Sequence, residues 1–260
     1  YIKSILNLFF FSLKNHFDLI HAHYSYSGFL SFFGTINKPI ICSLMGSDVI
    51  KSKRIKRQLI LFFVKNIWFE TIVKSKNMRV ENSIVIPNGV DFNNFRPIDK
   101  NEALIHTGFS KEKINILFVA TDIESENKNY PLAKKAVDSL GENYTLHTIS
   151  DVKFTELPYY YNAADMLLLT SFSEGSPNVV KEALACNCPV VSTDVGDVKE
   201  ITKNIESCII TSFDSKEIRK AIVNITKLEK KADSHNKIDF LNNDKILNKI
   251  QMLYKSVLPK

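Results

Sequence analysis

The chain has 260 residues, 45% hydrophobic and 24% charged, so it can bury a sizeable core, and intrinsic disorder is excluded. Its net charge of +6 is uneven: residues 1–90 hold 12 Lys and Arg against 4 Asp and Glu, and the remainder holds 22 against 24. A basic first third suits phosphate-rich partners or an anionic membrane surface, whereas the lack of an interleaved aromatic and basic recognition element argues against nucleic acid.

The opening stretch, from Tyr1, reads as the middle of a helix, so the expectation is a chain truncated at its N-terminus. Its apolar run ILNLFFFSL, like LILFFV after Gln58, falls far short of the ~20 residues a spanning helix needs. Strands are predicted at FDLIHA (17–22), PIICSL (39–44), SIVIP (83–87), INILFVA (114–120), YTLHTI (144–149), DMLLLT (165–170), PVVSTD (189–194) and ESCIITS (206–212). Runs without polar alternation mark parallel strands buried on both faces, and their alternation with helical patterns predicts a doubly wound α/β architecture. Between the second and third runs lies KSKRIKR followed by QLILFF, which has the character of an interfacial amphipathic segment. Lys51, Lys53, Arg54, Lys56 and Arg57 are therefore candidates for contact with anionic lipid, the alternative being an ordinary solvated helix face.

The segment VIPNGVDFNNFRP (85–97) has no periodicity and is bracketed by Pro87, Asn88, Gly89 and Pro97. A domain boundary placed there gives a partial first domain at 1–91, with roughly two complete βα units, and a second domain at 92–240 with about six strands. Residues 241–260 form a C-terminal helix with apolar residues at Ile246, Leu247, Ile250, Leu253, Tyr254 and Val257, expected to pack back toward the first domain. Cys42, Cys186, Cys188 and Cys208 match neither zinc nor disulfide spacing and are expected to be reduced thiols of a cytoplasmic protein.

The informative stretch is SFSEGSPNVVKEALACNCPVVSTDVGD (171–197). Its helix is expected to start with Ser176 as N-cap and Pro177 at the first helical position. A helix that begins at the carboxyl end of a parallel strand directs its free N–H groups and positive dipole end at an anion such as a diphosphate. Val180, Ala183 and Leu184 form the packing stripe, which turns Glu182 toward a cleft or solvent. Glu174 and Glu182 are acceptor-only carboxylates, each able to hold a pair of vicinal hydroxyls, and a nucleotide sugar offers such pairs on either side of a diphosphate.

The spacing Glu-x7-Glu in EGSPNVVKE, followed by CPVVSTDVG, resembles the group 1 (family 4) glycosyltransferases of the GT-B superfamily. DLIHAHYSYSGF, KPIICSLMGSDV, VKSK with VIPNGVDFNNFRP, ILFVATDIESENKNYPLA and YYYNAADMLLLTSFSEG resemble the same family in the same order, from Asp18 onward. The resemblance implies two Rossmann-like domains, the N-terminal one incomplete, with a nucleotide-diphosphate sugar held mainly by the second. It assigns Lys128 to the diphosphate and to charge stabilisation on the leaving group, and Glu174 to hydroxyls of the transferred sugar, both as catalytic groups. Gly175, Ser176, Pro177 and Asn178 would lie against the donor, Val179 against the nucleoside and Glu182 at the ribose. The family retains anomeric configuration and generally needs no metal or other cofactor. The resemblance further implies a glycan or lipid-linked acceptor in cell-surface polysaccharide synthesis, and a place in the cytoplasm or at the inner face of the membrane.

His23, Gly46 and Asp48 are candidate acceptor or cleft residues, while His21 reads as a core histidine and Asp48 as a helix cap in preference to a catalytic base. Two departures stand out. Many relatives carry an Arg ahead of the lysine where this chain has Ala120, Thr121 and Asp122, and a His where it has Met45. Met cannot hydrogen-bond a sugar as His does, so a second reading stays open: a fragment or degenerate copy that binds a nucleotide sugar without transferring it. A sugar-nucleotide epimerase on the same scaffold is the other enzymatic alternative, and the EGSPNVVKE arrangement argues against it.

Overall fold

The apolar runs become parallel strands, as their lack of polar alternation requires. A computed structural model describes residues 2–50, 52–228 and 233–258. Two units share the chain, Tyr1–Asn88 with Asp244–Lys260 and Gly89–Asn243.

The first unit opens with α1 (Ile2–Lys14), β1 (Ile20–His23), α2 (Ser25–Gly34) and β2 (Ile40–Ser43). It continues through α3 (Gly46–Val49), α4 (Arg54–Asn66), β3 (Glu70–Val73) and β4 (Ile84–Val85). The strands form one sheet in the order β1-β2-β3-β4, every pair parallel. β3 escapes a reading based on apolar runs because it begins with Glu70 and Thr71, and Thr71 is buried only once the sheet has formed. On one face Ala22, Ile40, Cys42 and Val73 pack with Phe63 of α4 and with Trp68, which follows that helix. There α2 turns small residues inward, Ser25, Gly28, Ser31 and Gly34, because a Cβ on Gly28 would lie 2.7 Å from the Trp68 ring. Phe29 packs against Phe63 and Trp68, whereas Phe32 and Phe33 are left outside, 40% and 60% exposed.

The basic run behaves differently from its expectation. Lys51 lies outside the described residues, while Lys56 turns inward to the buried Asp48 carboxylate, 3.5 Å away, and sits 4.5 Å from the centre of the Tyr26 ring. Arg57 donates to the carbonyls of Val49 (3.3 Å) and Arg79 (3.4 Å). Internal acceptors thus claim two of the predicted lipid contacts, and Lys53 and Arg54 remain exposed.

The second unit contains α5 (Lys100–Thr107), β5 (Ile114–Val119), α6 (Tyr130–Asp138), β6 (Tyr144–Ile149), α7 (Leu157–Ala163) and β7 (Met166–Leu169). After these come α8 (Asn178–Ala185), β8 (Val190–Thr193), α9 (Val198–Thr202), β9 (Cys208–Thr211), α10 (Ser215–Thr226) and α11 (Ser234–Lys237). Among the described residues it has five strands, one fewer than the sequence reading gave, all parallel and ordered β6-β5-β7-β8-β9. β5 is followed in sequence by its neighbour on one side and later by its neighbour on the other. The topological switch point, where open α/β sheets hold ligands, is therefore at the carboxyl ends of β5 and β7. Leu117, Leu167 and Val190 face one core with α8, and Ile116, Phe118, Met166 and Val191 face the other with α6 and α10. Where the chain enters and leaves this unit, Val90 N–H donates to Leu241 O (2.9 Å) and Asn243 N–H to Val90 O (3.0 Å).

The chain then enters α12 (Asn243–Val257), whose Ile246, Leu253 and Val257 close the second face of the first sheet against Ile41, Ile72 and Ile86. All four cysteines are free thiols.

Candidate donor site

The site grows from two loops at the switch point. After β5 the chain makes a 3-10 turn, Glu126–Lys128, ended by Asn129 in the left-handed region at φ 53°. After β7 it runs through residues 170–177 into α8. The two loops are stitched together: Phe172 N–H donates to Asn127 O (2.8 Å), Asn127 Nδ2 to Ser173 O (2.8 Å), and Thr170 Oγ1 to the carbonyls of Lys128 and Asn129 (both 3.0 Å). This lattice brings Lys128 Nζ to 2.7 Å from Glu174 Oε1, 46 residues away in sequence. Their side chains are 22% and 18% exposed, so the pair lines an accessible surface without being freely solvated.

α8 begins beside this pair. Its first-turn N–H groups cannot be satisfied within the helix and carry the positive end of its dipole. The helix starts one residue later than predicted, with Pro177 rather than Ser176 in the capping position and no side-chain cap. The reason is that the Ser176 hydroxyl is spent elsewhere: it donates to Asp197 Oδ2 (2.6 Å) and accepts from Lys181 Nζ. Gly175 and Val179 are half-buried, Pro177 is buried and Asn178 is exposed. The packing stripe contains Val180, Ala183 and Leu184 as expected, joined by a fully buried Lys181.

Glu182 does not look freely into solvent. It is half-buried, and the Tyr161 hydroxyl of α7 donates to its Oε2 at 2.8 Å. Burial pushes its carboxyl above the usual range, while the Tyr161 hydrogen bond and the Lys181 charge pull the other way. Tyr161, itself fully buried and raised well above the ordinary phenol, stays a donor to that carboxylate. Gly196, at φ 58°, brings the loop after β8 against this site, and a Cβ there would lie 3.0 Å from both Gly175 O and Pro177 Cδ.

The candidates of the first unit are placed separately. His23 ends β1, is exposed, and stacks on His21 with ring centres 4.4 Å apart. His21 is bonded through both nitrogens, to Tyr254 Oη (2.6 Å) and Ser43 Oγ (2.8 Å). Gly46 is the first residue of α3. Asp48 is fully buried: it accepts from Met45 N–H (2.9 Å), from Ser25 N–H (3.2 Å) and from the Ser25 hydroxyl. Its carboxylate is consumed as a helix cap and loop anchor, which removes it from the acceptor candidates.

Residues 107–227, which include both loops and α8, match the family model for glycosyl transferases group 1. Over that span the chain resembles the group 1 glycosyltransferases. Similar proteins include a putative teichuronic acid biosynthesis glycosyltransferase of Bacillus subtilis, 26% identical over 239 residues. The match covers 79% of this chain and 60% of the relative. An uncharacterised 41.2 kDa protein encoded in the cps region of Klebsiella pneumoniae is 25% identical over 82% of this chain and 71% of its own length. Among solved structures, Anabaena HepE in complex with UDP and glucose superposes with a TM-score of 0.81 at 16% identity, covering 92% of this chain and 78% of that one. At that identity the likeness shows the fold alone, which is of the GT-B type. Tyr161, Lys181, Gly196 and Asp197 are site-building residues that motif reading alone did not single out. A lysine inside the apolar helical run VVKEAL was the available signal for one of them.

Proposed function

We propose that this chain transfers a sugar, with retention, from a nucleotide-diphosphate sugar to a glycan or lipid-linked acceptor in cell-surface polysaccharide synthesis. The observation that carries the reading is the Lys128–Glu174 pair beside the start of α8 at the switch point. A cation, a helix N-terminus and an acceptor-only carboxylate there match the three parts of a glycosyl diphosphate: leaving group, bridge and sugar hydroxyls. Donor binding exchanges the Lys128–Glu174 contact for Lys128 on the diphosphate and Glu174 on the sugar. Glu182 keeps one oxygen on Tyr161 and offers the other to the ribose, with Val179 against the base.

In the proposed step the acceptor oxygen bonds to the anomeric carbon on the face from which the diphosphate leaves. The carbon–phosphate-oxygen bond breaks, and the acceptor proton passes to the departing phosphate oxygen. Lys128 and the α8 dipole offset the negative charge that accumulates there, and the reading requires no metal. HepE was solved with UDP, which makes UDP-sugars the first donors to test. Calorimetry of the chain with UDP, GDP and ADP tests the site, and absence of binding to all three sinks it. NMR of the product anomer tests retention.

The membrane reading is supported by the outward face of α4, where Ile55 is 82%, Leu59 45% and Phe62 54% exposed, next to Lys53 and Arg54. No helix among the described residues is long and apolar enough to cross a membrane, so contact would be peripheral, at the anionic cytoplasmic leaflet. Flotation with phosphatidylserine vesicles checks this. A K53E/R54E variant is expected to stay behind, and undiminished flotation refutes the contact.

A further inference from the structure

Lys181 has no part in the donor contacts above, yet it is fully buried, where an unpaired ammonium is very costly. Its Nζ reaches back along α8 to the Ser176 hydroxyl and lies 3.6 Å from Asp197 Oδ2. The Ser176 hydroxyl sits between the two charges, accepting from Lys181 and donating to Asp197. Only a hydroxyl can do both from one atom. Asp197 is 4% exposed, and its other oxygen, Oδ1, is buried without a hydrogen-bond partner among the described residues.

We propose that Ser176, Lys181 and Asp197 are positioning residues that lock the loop after β7 to the loop after β8, so that Glu174 and the start of α8 hold a donor-ready geometry. The argument is energetic. A buried ion pair recovers little over apolar residues of the same volume, because both charges are desolvated. Burial moves both groups toward neutrality here, lowering the Lys181 ammonium and raising the Asp197 carboxyl. An apolar pair would fill the space equally well, but it would not engage the Ser176 hydroxyl, which is the attachment point of the loop. The adjoining Gly196, packed on Gly175 and Pro177, makes the second point of the same clamp. Positional specificity is the gain that remains, and its object is the segment 174–177 at the mouth of the site.

The inference rests on the donor-site reading, and the test separates the two. Ser176→Ala deletes the bridging hydroxyl, keeps the backbone N–H, and leaves Lys181 and Asp197 paired. By calorimetry with UDP, GDP and ADP, the best wild-type ligand is expected to bind the variant about tenfold or more weakly, as loss of a sub-ångström alignment requires. Thermal midpoint is also expected to fall, because two buried charged groups each lose a hydrogen bond, and Ser176→Thr, which restores the hydroxyl, is expected to recover most of the affinity. K181M/D197L, which replaces both buried charges by apolar groups and leaves the Ser176 hydroxyl without either partner, is expected to fold and to show the same loss. Binding by S176A within twofold of wild type overturns the positioning role alone, and so does a fall in thermal midpoint with unchanged affinity. Failure of the wild type to bind any of the three nucleotides overturns the donor site and this inference together.

Discussion

Tyr161→Phe is the most direct probe of the carboxylate assigned to the ribose. The change removes one oxygen from a fully buried ring and nothing else, so packing is preserved. What is lost is the 2.8 Å hydrogen bond to Glu182 Oε2, a bond to a charged acceptor worth about 1.5–3 kcal/mol. For a chain of this size each kcal/mol moves the thermal midpoint by about 2–4 °C, so a fall of about 3–12 °C is expected at neutral pH. A second consequence concerns pH. The hydroxyl is one of the two influences that hold the Glu182 carboxyl down against burial. Its removal raises that group further above the ordinary glutamate value. Nucleotide binding through ionised Glu182 is fully present above this value and is lost as pH falls through it. The acid limb of affinity should therefore shift to higher pH in Y161F and disappear in E182Q. Differential scanning calorimetry and a pH series of nucleotide titrations measure the two effects. A midpoint within about 1 °C of wild type, or an acid limb that does not move, would refute the account of Glu182 given above.

Three further outcomes are expected. Lys128→Met removes an ion pair that is about one-fifth exposed, so stability should change by about 1 kcal/mol, whereas turnover should fall about 10²–10³-fold through lost stabilisation of the leaving group; equal turnover in a product assay contradicts that role. Gly196→Ala places a methyl group at φ 58° and 3.0 Å from Gly175 O, so it should cost at least about 1–2 kcal/mol and weaken nucleotide binding more than its effect on the midpoint explains; a variant with wild-type affinity contradicts the tight approach. His21 is lowered to about 4, first by burial and then by the charges of His23 and Lys74. Because the folded value lies below the unfolded 6.5, folding excludes a proton in that interval, and stability is complete above pH 6.5 and declines toward pH 4. Urea midpoints at pH 7 and 4.5 should differ less in His21→Gln than in wild type, and identical slopes would remove His21 as the cause.

Much of the donor unit could be read directly from the chain, because strands buried on both faces declare themselves as uninterrupted apolar runs and the EGSPNVVKE spacing is carried by one loop and one helix. All five strands of that unit were among the predicted runs. β3 was not, since Glu70 and Thr71 are polar and become strand residues only through their neighbours. Lys128 and Glu174 were each named from local motif. That they meet at 2.7 Å follows from β5 and β7 lying side by side, a pairing that no local spacing encodes.

The sequence by itself determined the α/β class, the switch from loop to helix near Ser176 and the residue types available to a diphosphate and its sugars. Tertiary structure alone decided how each polar group is spent: Ser176 between Lys181 and Asp197 instead of on its helix, Glu182 under Tyr161, Asp48 in a cap, Lys56 and Arg57 on internal acceptors. The physical reason is that backbone periodicity is written in nearest neighbours, whereas a buried donor or acceptor must be satisfied by whichever partner the packing delivers, often from dozens of residues away.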